Sequence, residues 1–326
     1  MKALALFSGG LDSMLAMKLI TDQGIEVIAL HVNIGFGPGE AKHALMRQRA
    51  EQAGATLEVY DARQAYLDEV LFTPKHGYGK HFNPCIDCHG FMFRLARNLL
   101  PHYGAQFIIT GEVVGQRPMS QRMKAIHTVT ALAGDDEGLI VRPLCAKLME
   151  ETLPEKEGWI DRSRLLDISG RNRERQMALA KSYGLHDYEA PAGGCLLTHA
   201  HFASKIKDVV AHGEFALEDI VLLRHGRHLR LPEGAKLVIG RDEADNEALE
   251  KLSHSKYDFI DLGELIGPTA LLEKHASATD CELALRLVLA YAKTSPEASY
   301  SLHFNQTFFT LSPLPSKAAA QKYLIR

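Results

Sequence analysis

The chain has 326 residues, of which 46% are hydrophobic and 24% charged, and a formal net charge of −3 at pH 7. That length predicts two domains, each able to bury its own core. No stretch approaches the roughly 20 apolar residues of a membrane span and no signal-type segment opens the chain, so a cytoplasmic protein without a membrane partner is expected; the near-balanced charge excludes a global basic field, leaving any RNA contact to local patches.

The first element, "KALALF" from Lys2 to Phe7, is short, apolar and suited to a buried parallel strand. After it come Ser8, Gly9, Gly10, Leu11, Asp12 and Ser13, then a helical stripe of Leu15, Met17, Leu19 and Ile20 that ends at Gly24. A glycine-rich turn between strand and helix gathers free backbone N–H groups at the positive helix end, where small residues let an anion approach the main chain. It reads as a phosphate cradle. Asp12 stands where other phosphate loops place a lysine, and an acidic side chain beside phosphates implies a bridging Mg²⁺.

Further strands are expected over residues 25–34, 56–62, 105–112 and 138–144, with a helix over 41–53. Strands alternating with helices predict a parallel sheet covered on both faces, which collects ligands beyond the carboxyl ends of its strands where the strand order reverses. Ser8, His31, Gly111 and Arg142 fall at or near such ends.

Five cysteines, an odd number, argue against a disulfide framework. Cys145 and Cys281 stand alone among apolar neighbours and read as buried, inert thiols. Cys85 and Cys88 form a C-x₂-C pair after a proline and before an expected helix, whose end favours a thiolate. Cys195 follows two glycines in "EAPAGGCLLTHA", which allow a tight turn that brings its sulfur close to something. Together these are three soft ligands, one short of a tetrahedral protein-only set. A structural zinc could add His81, His89 or His199; two cysteines could instead carry and resolve a persulfide; or three could hold an iron–sulfur cluster with one open iron. Asp87, between the paired cysteines, is a candidate acid or base, or a solvated or helix-capping carboxylate. Arg162, Arg164, Arg171, Arg173 and Arg175 crowd into one stretch, as a contact for a phosphate backbone or as a solvated helix face.

After Thr198 the texture changes. Residues 215–252 read as a strand, a turn at Pro232 to Gly234, a second strand, and a polar loop into a helix. Arg224, Arg227, Arg230, Lys236 and Arg241, interleaved with His225 and His228, form a local basic set, although residues 201–326 hold 15 Lys and Arg against 17 Asp and Glu.

Ser8 to Ser13 resembles the SGGxDS loop of the PP-loop ATP pyrophosphatases, which cleave ATP between the α- and β-phosphates, use AMP to activate a carbonyl oxygen, and bind pyrophosphate in this loop. Gly111, Gly115, Gln116, Ser120 and Gln121 resemble the TGExxGQxxSQ segment of the 4-thiouridine synthase (ThiI-type) branch, as do "FMFRLARNLL" and "VRPL". The likeness covers roughly the first 190 residues. The N-terminal RNA-binding modules usual in that branch are not expected, because the chain starts directly on the loop. The phrase "GAKLVIGRDEADNEAL" is similar to the NFACT-R-type RNA-binding domain of ribosome-associated factors.

These resemblances imply an α/β, Rossmann-like PP-loop domain (adenine nucleotide alpha hydrolase-like) over residues 1–204 and a smaller α+β RNA-binding domain over 205–326. They imply ATP-dependent thiolation of a tRNA uridine, to 4-thiouridine or 2-thiouridine, with release of AMP and pyrophosphate. ATP and Mg²⁺ would meet Ser8, Gly9, Gly10, Asp12, Ser13, His31, Gly111 and Gln116, with Asp12, Cys88, Cys195 and Asp87 as the catalytic set. Archaeal ThiI-type enzymes pair a C-x₂-C with a distant cysteine and bind a 4Fe–4S cluster, which assigns a cluster to Cys85, Cys88 and Cys195; a metal-free persulfide cysteine and Zn²⁺ are the alternatives. The expected partners are tRNA, a sulfur donor (a cysteine desulfurase or sulfide) and a second copy in a homodimer. Two rivals are an ATP-dependent enzyme acting on a small molecule, such as a deazaguanine precursor, with structural zinc, and a non-catalytic RNA-binding protein.

Overall fold

The computed structural model of this chain describes residues 1–188 and 194–326. It divides into two compact units, Met1–Thr198 and His199–Arg326. The boundary expected between residues 204 and 205 falls inside the helix Ala200–His212. Among the described residues no helix is long and apolar enough to cross a membrane.

The first unit runs β1 (Lys2–Leu6), α1 (Leu11–Thr21), β2 (Glu26–Asn33), α2 (His43–Gln52), β3 (Ala55–Asp61), α3 (Arg63–Tyr66) passing into a π-turn (Leu67–Leu71), α4 (Cys85–Tyr103), β4 (Phe107–Thr110), α5 (Met123–Ala133), β5 (Ile140–Val141), α6 (Leu153–Lys156) and α7 (Glu174–Ser182). The five strands form one parallel sheet in the order β3-β2-β1-β4-β5, with Leu4 of β1 opposite Ile28 of β2 and Ile108 of β4. Ala3, Leu4, Ala5 and all of β4 are buried, as continuous apolar runs covered on both faces require. Helix α1 packs against α2 and α7, and α4 against α5.

Strand order reverses between β1 and β4, which opens a crevice at the carboxyl edge of the sheet. Because α4 turns through Gly104 directly into β4, its amino end lies at that same carboxyl edge, as does the start of α1. The expected fifth strand is shorter than its apolar run. The Asp135 carboxylate accepts the amides of Leu139 (2.7 Å) and Ile140 (3.0 Å), and beyond Val141 the Cys145 amide donates to the Arg142 carbonyl (3.0 Å), turning the chain around Pro143.

The second unit holds α8 (Ala200–His212), α9 (Leu217–Leu222), β6 (Arg227–Arg230), β7 (Lys236–Ile239), α10 (Glu243–Glu250), β8 (Tyr257–Phe259), β9 (Ala270–Glu273), α11 (Ala278–Tyr291), β10 (Tyr300–Phe304) and β11 (Thr307–Leu311). Its antiparallel sheet has the order β6-β7-β9-β8, beside a separate β10-β11 hairpin. Leu229, Leu237 and Leu272 of the sheet share a core with Leu285 and Val288 of α11. Residues 217–222, expected as part of the first strand, form a helix instead, because Asp219 accepts the Ala216 amide (2.7 Å) and caps it. The expected turn at Pro232 to Gly234 joins β6 to β7, held by the fully buried Asp280, which accepts the amides of Glu233 (3.1 Å) and Ala235 (2.9 Å).

A Cβ at Gly111, just beyond β4, would lie 2.5 Å from both the Asp12 carbonyl carbon and the Ser13 nitrogen. These are backbone atoms and cannot swing aside. Gly111→Ala should therefore destabilise the first unit by roughly 1–3 kcal/mol, whereas Gly39→Ala, with nothing within 4 Å of its Cβ position, should be neutral. Urea unfolding followed by Trp159, the single tryptophan, checks this because its ring packs near Phe107 of β4.

Candidate functional site

The chain leaves β1 at Phe7, whose carbonyl faces Nδ1 of His31 at 3.1 Å. Gly9 then takes φ +80°, a left-handed conformation that glycine adopts without strain, and the Gly10 carbonyl accepts a hydrogen bond from Ser13 Oγ (2.7 Å). Above the loop sits α2. Arg49, 5% exposed, donates from Nη1 to the Gly9 carbonyl (3.1 Å) and from Nε to the Asp187 carbonyl (2.7 Å). Sequence reading missed Arg49, since one arginine on an ordinary helix carries no motif. His31 and His43 lie with ring centroids 5.9 Å apart, and Nε2 of each is buried without a partner among the described residues. Burial pushes the His31 imidazole down, favouring its neutral form.

Asp12 lies in the first turn of α1, beside the loop, but both its carboxylate oxygens are engaged. Oδ1 accepts from Arg173 Nη2 (3.1 Å) and Oδ2 from Gln116 Nε2 (2.6 Å). Gln116 accepts in turn from Gln176 Nε2 on α7 (3.0 Å). A backbone bridge between Val114 and Ser169, with Gly170 N donating to the Val114 carbonyl (2.8 Å), fastens the start of α7 to the chain beyond β4. The loop, the Gly111 to Gln121 stretch and α7 thus close around Asp12.

The C-x₂-C pair occupies the amino end of α4, with Cys85 as its first residue and Cys88 one turn on. Leu196 N donates to the Phe36 carbonyl (3.1 Å) and Phe82 N to the Leu197 carbonyl (3.2 Å), which brings Cys195 to the same edge. The three thiols lie within electrostatic reach of one another, and the fully buried Tyr66 hydroxyl lies beside Cys88. Gly194 adopts φ +132°, while Gly193 falls outside the described residues. The expectation that the helix end favours a thiolate is overturned. Burial pushes all three thiols up, Cys88 most, and its neighbours Cys195 and Cys85 add to that shift.

Asp87 accepts the amides of Lys75 (3.1 Å) and His76 (2.9 Å) and contacts His76 Nδ1 (3.1 Å), so it anchors a loop rather than facing the crevice as a free acid or base. His89, considered as a zinc ligand, is held at Nδ1 by Glu112 (2.9 Å). The donor type and number at Cys85, Cys88 and Cys195 suit a three-cysteine anchor, yet among the described residues no three His, Cys, Asp or Glu side chains stand close enough to hold a metal ion. The thiols as they stand are not a closed metal cage.

Most residues of the basic sets have partners within the protein, although Arg164, Arg171, Arg175 and Arg241 are exposed. Arg162 pairs with Glu155, Arg164 donates to the Asp22 carbonyl (2.8 Å), Arg173 binds Asp12, and Arg175 binds Asp167 (2.7 Å). In the second unit Arg230 (2.7 Å) and the fully buried Lys236 (2.9 Å) share Asp208, Arg241 pairs with Asp245, Arg227 donates to the Gly240 carbonyl (3.0 Å), and His228 is buried. The expected basic patch is in these residues a network that holds the fold.

Glu112 is buried with Arg142, whose Nε lies 3.0 Å away. Burial pushes the Glu112 carboxyl up, but Arg142 and His89 outweigh it and hold it below its usual range. A depressed carboxyl contributes stability above the ordinary carboxylate range and loses it as pH falls through its folded pKa. Glu112→Gln should cost about 3 kcal/mol at neutral pH by leaving Arg142 buried without a counter-charge, with the difference from wild type shrinking in acid. Urea midpoints at neutral and acidic pH measure both.

Residues 1–152 match the family model described as thiamine biosynthesis protein (ThiI), and residues 226–324 match that of the NFACT protein RNA binding domain. A probable tRNA sulfurtransferase of Thermococcus kodakarensis is 29% identical over 46% of this chain and 38% of its own length. A tRNA-specific 2-thiouridylase MnmA of Sulfurimonas denitrificans is 30% identical over 35% of each chain. The chain thus spans little more than a third of the length of these curated relatives. A crystal structure titled as a 4-thiouridine synthetase–RNA complex with bound ATP covers 56% of this chain and 41% of its own, at 20% identity and a TM-score of 0.40. Residues 1–152 of this chain are thus similar to the ThiI family model, and residues 226–324 to that of the NFACT-type RNA binding domain.

Proposed function

We propose that this protein uses ATP to activate a carbonyl oxygen of a tRNA uridine and replaces that oxygen with sulfur. The observation that carries this reading is that one carboxyl edge of one sheet bears both the Ser8 to Ser13 loop and the amino end of α4 with its paired cysteines. The names of the matched sulfurtransferase and thiouridylase support it, as does the NFACT-R-type domain for the RNA partner.

ATP phosphates would lie on the backbone amides of the loop at the amino end of α1, with Gly9 and Gly10 admitting them to the main chain. Asp12 would hold Mg²⁺ after exchanging one of its present partners. The uridine oxygen attacks the α-phosphorus and pyrophosphate leaves; sulfide then attacks the ring carbon and AMP departs with the oxygen. His31, whose imidazole burial pushes toward the neutral form and whose Nε2 has no partner among the described residues, would bind the nucleotide without adding charge. Cys85, Cys88 and Cys195 would carry the sulfur either as ligands of a 4Fe–4S cluster, which when bound supplies a site for transferable sulfide, or as a cysteine persulfide whose outer sulfur attacks the ring carbon and whose S–S bond a second of these thiols then breaks, leaving a disulfide. Burial of Cys88 beside Tyr66 would help keep water from the activated carbon, where hydrolysis would return uridine.

Asp12→Ala should abolish release of pyrophosphate from ATP in the presence of tRNA while the protein stays folded by circular dichroism. Cys88→Ala and Cys195→Ala should keep pyrophosphate release but lose thiolation, and Cys145→Ala should keep both. Unchanged pyrophosphate release by folded Asp12→Ala protein contradicts the assignment of the loop. Iron content of anaerobically purified protein separates the sulfur carriers, since a cluster requires about four irons per chain and a persulfide none.

A further inference from the structure

The geometry points to Arg173 as a pyrophosphate-binding residue, an inference that rests on the reading that ATP is cleaved on the Ser8 to Ser13 loop. Arg173 is the residue that caps the start of α7, far along the chain from the loop, and sits in the basic stretch read from sequence as an RNA contact or a solvated helix face. Its side chain is 16% exposed and directed at Asp12 Oδ1, at 3.1 Å. Among the described residues that is the one hydrogen bond of a group with five N–H donors, and its Nε is buried without a partner.

One neighbour is incompletely matched too. Gln176, 0% exposed, donates to Gln116, yet among the described residues its Oε1, an acceptor, has no donor. Buried polar atoms are rarely left unmatched, so an unused donor and an unused acceptor beside one carboxylate mark a place that a phosphate together with its hydrated cation would complete. The charges suggest which. Asp12 neutralises Arg173 while the loop holds no phosphate. A pyrophosphate with its Mg²⁺ offers the guanidinium fork a more highly charged, bidentate acceptor and offers Asp12 a cation, so both members of the pair gain a stronger partner. The Val114 to Ser169 bridge fixes the start of α7 beside the loop, which keeps Arg173 within reach of both acceptors.

The experiment is calorimetric binding of inorganic pyrophosphate with Mg²⁺, and separately of AMP, to the full chain as wild type, Arg173→Ala and Arg173→Lys. Loss of charge-assisted hydrogen bonds predicts about a 10- to 100-fold weaker pyrophosphate affinity for Arg173→Ala, an intermediate loss for Arg173→Lys, and unchanged AMP affinity. A merely structural role would weaken both ligands together, and that result overturns the inference, as does wild-type pyrophosphate affinity in Arg173→Ala. Thermal melting read at Trp159 monitors folding, and the lysine variant carries the test if the alanine variant does not fold. If wild type releases pyrophosphate from ATP yet Arg173→Ala binds pyrophosphate normally, only this inference fails; if wild type binds neither ligand, the proposed function falls with it.

Discussion

The approach of one backbone to another at Gly111 sets the geometry on which the rest depends. Chain leaving β4 lies directly against the first turn of α1, with no room for a side chain between them. That contact closes the crevice where the strand order reverses, and it brings Gln116 into reach of Asp12. From there the order of events is local. The Val114 to Ser169 bridge draws in the start of α7, where the capping Arg173 and the helical Gln176 complete the ring around the carboxylate, while Arg49 on α2 fastens the loop from above.

A second theme is that burial shifts several titratable groups near the site. At the thiols, desolvation pushes all three up and favours the protonated form. At Glu112 the balance goes the other way, because Arg142 and His89 supply enough compensating interaction to keep a buried carboxylate charged. In the second unit Asp208 serves two cations, one of them fully buried, and burial holds the nearby Lys205 ammonium down to about 8. Basic residues in such networks brace a fold; they are not a measure of affinity for RNA.

Much of this was legible in the sequence, where a local pattern states a local geometry. The strand, glycine turn and helix at residues 2–21 left few alternatives, and the continuous apolar runs revealed buried parallel strands. Gly111 and Gln116 could be placed because their segment carries a motif. What the sequence left obscure depends on partners far apart in the chain. Arg173 read as a surface cation because its partner lies 161 residues away, and Arg49 gave no signal because its acceptors are main-chain carbonyls. Lys236 looked like part of a basic patch, since alternation along a short strand does not reveal a carboxylate waiting on a neighbouring helix. The helix Leu217–Leu222 was hidden for a related reason: its apolar residues suit either element, and the Asp219 cap decides.

The central claim is that the loop and the thiols at one sheet edge act on the same uridine. It is tested most directly by nucleoside mass analysis of tRNA incubated anaerobically with the purified protein, Mg²⁺, ATP and, in parallel, sulfide or a cysteine desulfurase with cysteine. The account predicts a uridine heavier by the difference between sulfur and oxygen, formed only with ATP and in step with AMP. Pyrophosphate release without any thiolated nucleoside, or thiolation that proceeds without ATP, would contradict it.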